Sequence, residues 1–167
     1  MSAVDAVLGI IADPQIRPFS EVATGYTYFI EGDVLFAKIT PCMQNGKHAV
    51  ARNLIDGVGF ASTEFHVIRP SSEVSAEWIH FFVRQPAVLH EATNHFTGAV
   101  GQQRVPDDFL RFLEVPLPSV AEQGRILTVL HERMAAVNKA RLAIEEQRLA
   151  IEAMPGALLR SAFEGGI

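Results

Sequence analysis

Residues 119–154 constrain this chain more than any other stretch, because they read as one unbroken helix. Ser119-Val120-Ala121-Glu122 has the form of a capping box just after Pro118, with Ser119 as N-cap and Glu122 reaching back to it. Apart from Gly124, no Pro or Gly follows until Pro155-Gly156, where a break and then a short terminal helix over 157–163 are expected. At 1.5 Å per residue, roughly 35 residues make about 50 Å of helix. The 118 residues before it would fold to a radius of gyration of about 13 Å, so the helix should protrude.

Leu127, Leu130, Met134, Val137, Ile144 and Ile151 fall on alternating steps of three and four, with Arg141 and Arg148 at the remaining seam positions. This is coiled-coil spacing. An apolar stripe on a protruding helix has to be covered. Residues 126–130 are expected to pack on their own domain and the distal half on a partner helix. The competing expectation is that the whole stripe folds back. The two arginines would limit promiscuous pairing or meet acidic groups of the partner.

The remainder is long enough for one domain with a real core, and apolar residues make up 49% of the chain. No apolar run reaches the roughly 18 residues of a membrane span, and the N-terminus has no signal-peptide pattern. The single cysteine, Cys42, excludes an internal disulfide and fits a cytoplasmic location. Net charge is −5; residues 1–118 carry 8 Lys+Arg against 13 Asp+Glu, and residues 119–167 carry 6 against 6. The acidity sits in the globular part. It argues against a non-specific nucleic-acid binder but leaves room for a local basic face.

No internal repeat or low-complexity segment is present. Residues 7–11 (Val-Leu-Gly-Ile-Ile) predict a short buried strand, and Pro14, Pro18 and Gly25 predict turns. Strands are expected over 26–30 and 34–39 around the turn Glu31-Gly32-Asp33, then over 48–54 and 59–69. In the last, Phe65 and Val67 face one way and Glu64, His66 and Ile68 the other. Helices are expected over 75–83, with Trp78, Ile79, Phe82 and Val83 buried, and over 87–94. A helical turn at 107–110 and a strand over 112–117 complete the domain. Short turns between strands favour antiparallel pairing. The fold class is therefore α+β: a mixed, largely antiparallel domain over 1–118, then a long coiled-coil helix over 119–167.

Sequence motifs for chemistry are sparse. Cys42 and His48 could make a thiol nucleophile and its base, but no third orienting group is identifiable, and a lone cysteine is more often packing volume. No CxxC or HExxH occurs and no two of the six histidines are three or four apart, so no metal is expected. Gly98-Ala99-Val100-Gly101 extends to no nucleotide-binding fingerprint, and no cofactor is expected. Two polar loops remain. Gln44, Asn45, Lys47 and His48 lie in one; Gln102, Gln103 and Arg104 lie in the other. Gln and Asn can pair bidentately with adenine, Arg with guanine, and Lys or Arg with phosphate. Lys38, near the end of an apolar strand, is a phosphate candidate or a snorkelling lysine. Two ordinary solvated turns are the competing reading of the loops.

Several ordered pieces of the chain resemble the specificity subunits of type I restriction–modification systems. They are Gly25-Tyr26-Thr27; Gly32-Asp33-Val34-Leu35-Phe36-Ala37-Lys38-Ile39-Thr40-Pro41-Cys42 with Asn45-Gly46-Lys47; Ser62-Thr63-Glu64-Phe65; and Gly101-Gln102-Gln103-Arg104-Val105-Pro106. Pro116-Leu117-Pro118, Ala121-Glu122-Gln123, Arg125-Ile126 and the terminal 158–165 stretch follow in family order. The resemblance implies a target recognition domain followed by one of the family's long conserved-region helices. Complete subunits carry two such units, whose helices pack antiparallel and set the spacing of two DNA half-sites.

This chain has room for one unit and looks like half a subunit. The resemblance then implies a homodimer through the long helix, an isologous pair reading an interrupted palindrome in double-stranded DNA. It implies recruitment of DNA adenine methyltransferase subunits, with a restriction subunit as an optional partner, and no catalysis by this chain. Candidate DNA contacts are Gln44, Asn45, Lys47, Gln102, Gln103 and Arg104, with Lys38 for phosphate. The seam would be Leu127, Leu130, Met134, Val137, Arg141, Ile144, Arg148 and Ile151. Two alternatives stay open: an assembly module that binds the methyltransferase without reading sequence, and a small hydrolase using Cys42 and His48.

Overall fold

The computed structural model describes residues 1–164. Residues 165–167 of the expected C-terminal unit, including Gly165 of the terminal motif, lie outside the described residues. In chain order the elements are β1 (Val4–Asp5), β2 (Ile10–Ile11), α1 (Phe19–Val22), β3 (Tyr26–Ile30), β4 (Val34–Ala37), β5 (His48–Val50), β6 (Val58–Ser62) and β7 (Phe65–Ile68). Helices α2 (Ala76–Val83), α3 (Pro86–Asn94), α4 (Asp107–Arg111) and α5 (Val120–Phe163) follow. The class is α+β, and every strand pair is antiparallel.

Strand β4 is the centre of the first unit, residues Met1–Gln123. It lies between β5 and β7, and all four of its residues are buried. Alternation along the pleat sends them to two cores. Val34 and Phe36 join Met43, Val50, Ile79, Val83, Val105 and Phe109 under the helices. Leu35 and Ala37 join Val4, Phe29, Ala49, Ala51 and Phe65 on the opposite face. A strand covered on both faces reads as a continuous apolar run, which is how Val-Leu-Phe-Ala reads. β3 spans the expected residues 26–30, whereas the strands expected over 34–39 and 48–54 end at Ala37 and Val50. The 59–69 stretch is two strands: β6 pairs with β3, whereas β7 pairs with β4, so the turn at Thr63-Glu64 carries the chain between sheets.

Asp33 anchors the β3–β4 turn. It is 1% exposed, accepts the Ile30 N–H at 2.8 Å, and holds the Arg69 guanidinium at 2.9 and 2.8 Å. Burial alone would raise its carboxyl pKa; the hydrogen bonds from Arg69 and Ile30 outweigh that and the net shift is downward.

Four expectations need correction. Residues 7–11 contribute only β2, and Val7, Leu8 and Ile10 are exposed while Ile11 packs on the second core; the pleat sends two successive side chains to opposite faces, and only one of them is covered. The buried side of α2 is Ala76, Ile79, His80 and Val83, while Trp78 and Phe82 are half-buried. Trp78 instead turns its Nε1–H to the Pro116 carbonyl at 2.8 Å. That contact bears on the third correction: residues 112–117 form no strand. The Pro116 nitrogen lacks a donor and its carbonyl is already used, so a ladder cannot run through it.

The fourth concerns the long helix, which continues through Pro155 to Phe163 as one element of 44 residues. Pro removes one hydrogen bond, but ending the helix there would require a second costly nucleation. Flanks rich in Ala, Leu and Met favour propagation. The Ser119 Oγ accepts the Glu122 N–H at 3.3 Å, as a capping residue should. No helix of the described residues is long and apolar enough to cross a membrane.

Candidate functional site

The two polar loops, far apart in sequence, are joined in space. The Thr40 N–H donates to the Gln103 carbonyl at 2.9 Å, and the Gln103 N–H donates to Thr40 Oγ1 at 3.2 Å. Ile39 and Arg104 form an antiparallel bridge, and the Val105 N–H donates to the Lys38 carbonyl at 2.9 Å. The 97–104 loop is thus sewn to the end of β4. Between the loops lies a cleft of about 340 Å³, lined by Gln44 and Gln103 with Thr40, Pro41, Thr93, Phe96 and Gly101.

The first loop is a tight, internally bonded turn. The Met43 N–H donates to Ile39, Asn45 to Pro41, Gly46 to Met43 and Lys47 to Cys42, each at 2.9 to 3.0 Å. Gly46 has φ +71°, a left-handed conformation that glycine adopts without strain. The backbone is therefore fixed while Gln44 and Asn45 stay exposed. Met43, fully buried, pins the turn into the helical-side core.

The expected contact residues divide on this geometry. Gln44, Asn45 and Gln102 are exposed, and Gln103 is half-buried. Lys47 points its Nζ at the Val4 carbonyl at 2.7 Å, tying the turn to the N-terminal strand. Arg104 is held by Glu64: Nε reaches its two oxygens at 3.2 and 2.9 Å, and Nη2 reaches one at 2.7 Å. Nη1 donates to the Gln102 carbonyl at 2.8 Å. This hydrogen-bonded pair lowers the Glu64 carboxyl pKa and raises that of Arg104. Glu64 thus occupies the Nε–Nη2 edge of the fork, and Nη1 and Nη2 each keep one further N–H. Lys38 is half-buried, and its charge lowers the carboxyl pKa of both Glu64 and Asp107, behind the contributions of their arginine partners.

His48 closes the turn and is 0% exposed. Its ring stacks on Phe36 at 4.2 Å, and its Nδ1 accepts the Ala37 N–H at 3.1 Å. Nδ1 is therefore unprotonated and the ring is neutral. The His48 carbonyl in turn accepts from His80 Nε2 at 3.1 Å. Burial, with the charges of His80 and Arg84 behind it, pushes the His48 pKa down to about 3; burial likewise lowers His80 to about 4. A ring sealed from solvent and bonded to the main chain has no route to a substrate, which tells against the thiol hydrolase. Among the described residues, no group of three or more His, Cys, Asp or Glu could hold a metal ion.

Sequence reasoning missed Glu64, Thr93, Phe96 and Gln123. Glu64 carried a weak signal, the lone carboxylate of the 59–69 stretch. Gln123, 1% exposed, accepts the Ser75 N–H at 3.0 Å and donates to the Glu73 and Pro118 carbonyls, both at 2.9 Å. It fixes the first turn of α5 to the cap of α2.

On α5, Leu127 is buried and Leu130 half-buried, whereas Val137, Ile144 and Ile151 are 58%, 65% and 65% exposed. Arg148, at a seam position, pairs with Glu145 at 2.7 Å and with Glu152 of its own helix. The distal seam lies open along the described residues of one chain.

A family model described as "Type I restriction modification DNA specificity domain" matches residues 19–150, covering both loops and most of α5. The chain belongs to this family. Two curated type I specificity subunits, both from Escherichia coli, are similar to it. The type I restriction enzyme EcoEI specificity subunit is 40% identical over 123 residues, 73% of this chain and 21% of that one. The EcoAI specificity subunit is 35% identical over 136 residues, 81% of this chain and 22% of that one. The chain thus spans about a fifth of the length of these relatives. Among solved structures, the HsdS subunit from Thermoanaerobacter tengcongensis superposes with a TM-score of 0.71 at 27% identity, over 91% of this chain and 37% of that chain. A second, titled "Structural basis underlying complex assembly and conformational transition of the type I R-M system", gives 0.74 at 24% identity over 92% and 39%, a likeness of fold.

Proposed function

We propose that this specificity-family chain recognises double-stranded DNA by sequence, working as a half-type specificity subunit. Residues 1–118 are the target recognition domain, and residues 119–167 are the spacer and dimerisation helix. Two copies pair through Met134, Val137, Arg141, Ile144, Arg148 and Ile151. Their two-fold axis makes the target an interrupted palindrome. The assembled pair recruits DNA adenine methyltransferase subunits, which carry the chemistry in a cytoplasmic complex that a restriction subunit can join.

The observation that carries the reading is the joining of the two polar loops into one surface by Thr40 and Gln103. Base readers must be held at fixed spacing on a rigid frame. Within that surface, Gln44, Asn45, Gln102 and Gln103 are the base-facing candidates and Lys38 the phosphate candidate. Arg104 and Lys47 act as positioning residues through Glu64 and Val4.

Selection from a random duplex library tests it. An interrupted palindrome is the expected motif. An asymmetric motif, or none, overturns the half-subunit reading. One observation favours a second reading, an assembly module that binds the methyltransferase without reading sequence. The domain carries 13 acidic residues against 8 basic ones, and Lys47, Arg69 and Arg104 are engaged internally. Such a module would bind the partner and select no motif.

A further inference from the structure

The cleft between the loops has a chemistry of its own, and its assignment rests on the DNA-recognition reading. Gln44 and Gln103 bring carboxamides, Thr40 and Thr93 bring hydroxyls and methyls, and Pro41 and Phe96 bring apolar surface. None of these side chains is charged. This composition is selective against the four base-pair edges of the major groove. Guanine O6 and N7 are two acceptors, best met by the paired donors of Arg or Lys. Cytosine N4 is a donor, met by a carboxylate. Adenine presents N7 beside N6–H₂, an acceptor next to a donor, which one carboxamide matches, and its thymine partner presents a methyl group. The guanidinium closest in sequence to Gln103 is that of Arg104, already bound to Glu64.

Gln44 is placed to read and Gln103 to frame. Gln44 is exposed on a turn whose backbone is bonded through Met43, Asn45, Gly46 and Lys47, so its side chain leaves from a fixed point. Asn45, its exposed neighbour, does not line the cleft. Gln103 has both backbone groups on Thr40, which holds its wall in place. Phe96 packs against the helical-side core and presents its remaining surface to the cleft.

We propose that this cleft reads a single A·T base pair of the target, with the Gln44 carboxamide on adenine N6 and N7 and the Phe96 surface against the thymine methyl. The selected motif of the full chain is the starting point. Each adenine is then replaced by 7-deazaadenine, which lacks N7, and each thymine by deoxyuridine, which lacks the methyl. At one A·T position, both analogues are expected to weaken binding by the wild-type chain, 7-deazaadenine by about tenfold. Gln44→Ala is expected to lose a similar factor and to become indifferent to 7-deazaadenine at that position alone. Gln44 is exposed, so the substitution leaves the core intact. A Gln44→Ala chain that keeps its analogue sensitivity overturns the proposal. So does a loss spread evenly over all sequences, which would assign Gln44 to the phosphate backbone. A wild-type chain that selects no motif instead fails at the DNA-recognition reading itself.

Discussion

The Arg104 guanidinium lies on the Glu64 carboxylate, 40 residues away in sequence, with hydrogen bonds of 2.7 to 3.2 Å. The pair holds the 97–104 loop against the turn that begins β7. An arginine that would serve as a guanine reader in isolation is thereby made part of the frame.

If Arg104 positions the loop through Glu64, removing either partner should have the same consequence. Arg104→Gln and Glu64→Gln are expected to weaken selective DNA binding to a similar degree, and the double variant should be little worse than either. Arg104→Lys should not restore binding, because an ammonium cannot reproduce the planar fork. Measured affinities for the selected duplex close this cycle. Full binding by Glu64→Gln with loss only in Arg104→Gln would return Arg104 to the base readers.

Gln123 should be the most sensitive single residue at the start of α5. Gln123→Ala leaves the Ser75 N–H and two carbonyls without partners, and a loss of about 2–4 kcal/mol in unfolding free energy is expected. Gln123→Glu keeps the size but turns a second oxygen towards the Glu73 and Pro118 carbonyls. It should be at least as destabilising at neutral pH. Urea denaturation of the two variants measures both.

Acid should unfold the first unit earlier than its carboxylates alone would require. His48 and His80 have folded pKa values near 3 and 4 against an ordinary 6.5. Between those limits the unfolded chain binds more protons than the folded one, so stability falls as pH drops below about 6.5. By pH 5 each histidine contributes a loss of about 2 kcal/mol. Protonating His48 would also set a second N–H against the Ala37 N–H. His80→Gln, which keeps a donor for the His48 carbonyl, should flatten the decline between pH 6.5 and 5. An unchanged slope in denaturation midpoints would clear His80 of any part in the acid sensitivity.

The exposed seam of α5 predicts association. In light scattering the chain is expected at twice its 18.3 kDa mass. Val137→Asp, which places a charge at an exposed seam position, should return it to the monomer mass. Arg141→Leu should tighten the pair or change its order. A wild-type monomer would remove the homodimer and, with it, the palindrome.

The local periodicities are readable before any fold is known. β-branched and aromatic runs between turn residues place β3 and β4, alternation places β7, and the helical spacing and caps place α2, α3 and α5, because these patterns follow from how side chains leave each backbone. The loops at Gln44 and Gln103 are likewise visible as polar breaks, since Asn45-Gly46 and a glycine-containing run announce turns. Which loop meets which is not visible: the Thr40–Gln103 bonds join segments 63 residues apart, and no local rule pairs them. For the same reason Arg104 looks like a reader until Glu64 arrives from another strand, and His48 looks accessible until Phe36 and α2 close over it. Residues 112–117 have the apolar content of a strand, but Pro116, whose carbonyl is taken by Trp78, leaves them without a ladder. Pro155 looks like a stop, yet a helix already nucleated continues past one missing hydrogen bond. Elements and most of their buried faces are thus matters of local chemistry, written in the order of the residues. Which polar side chains are engaged and which stay open is settled only on folding, because it depends on partners brought together from across the chain.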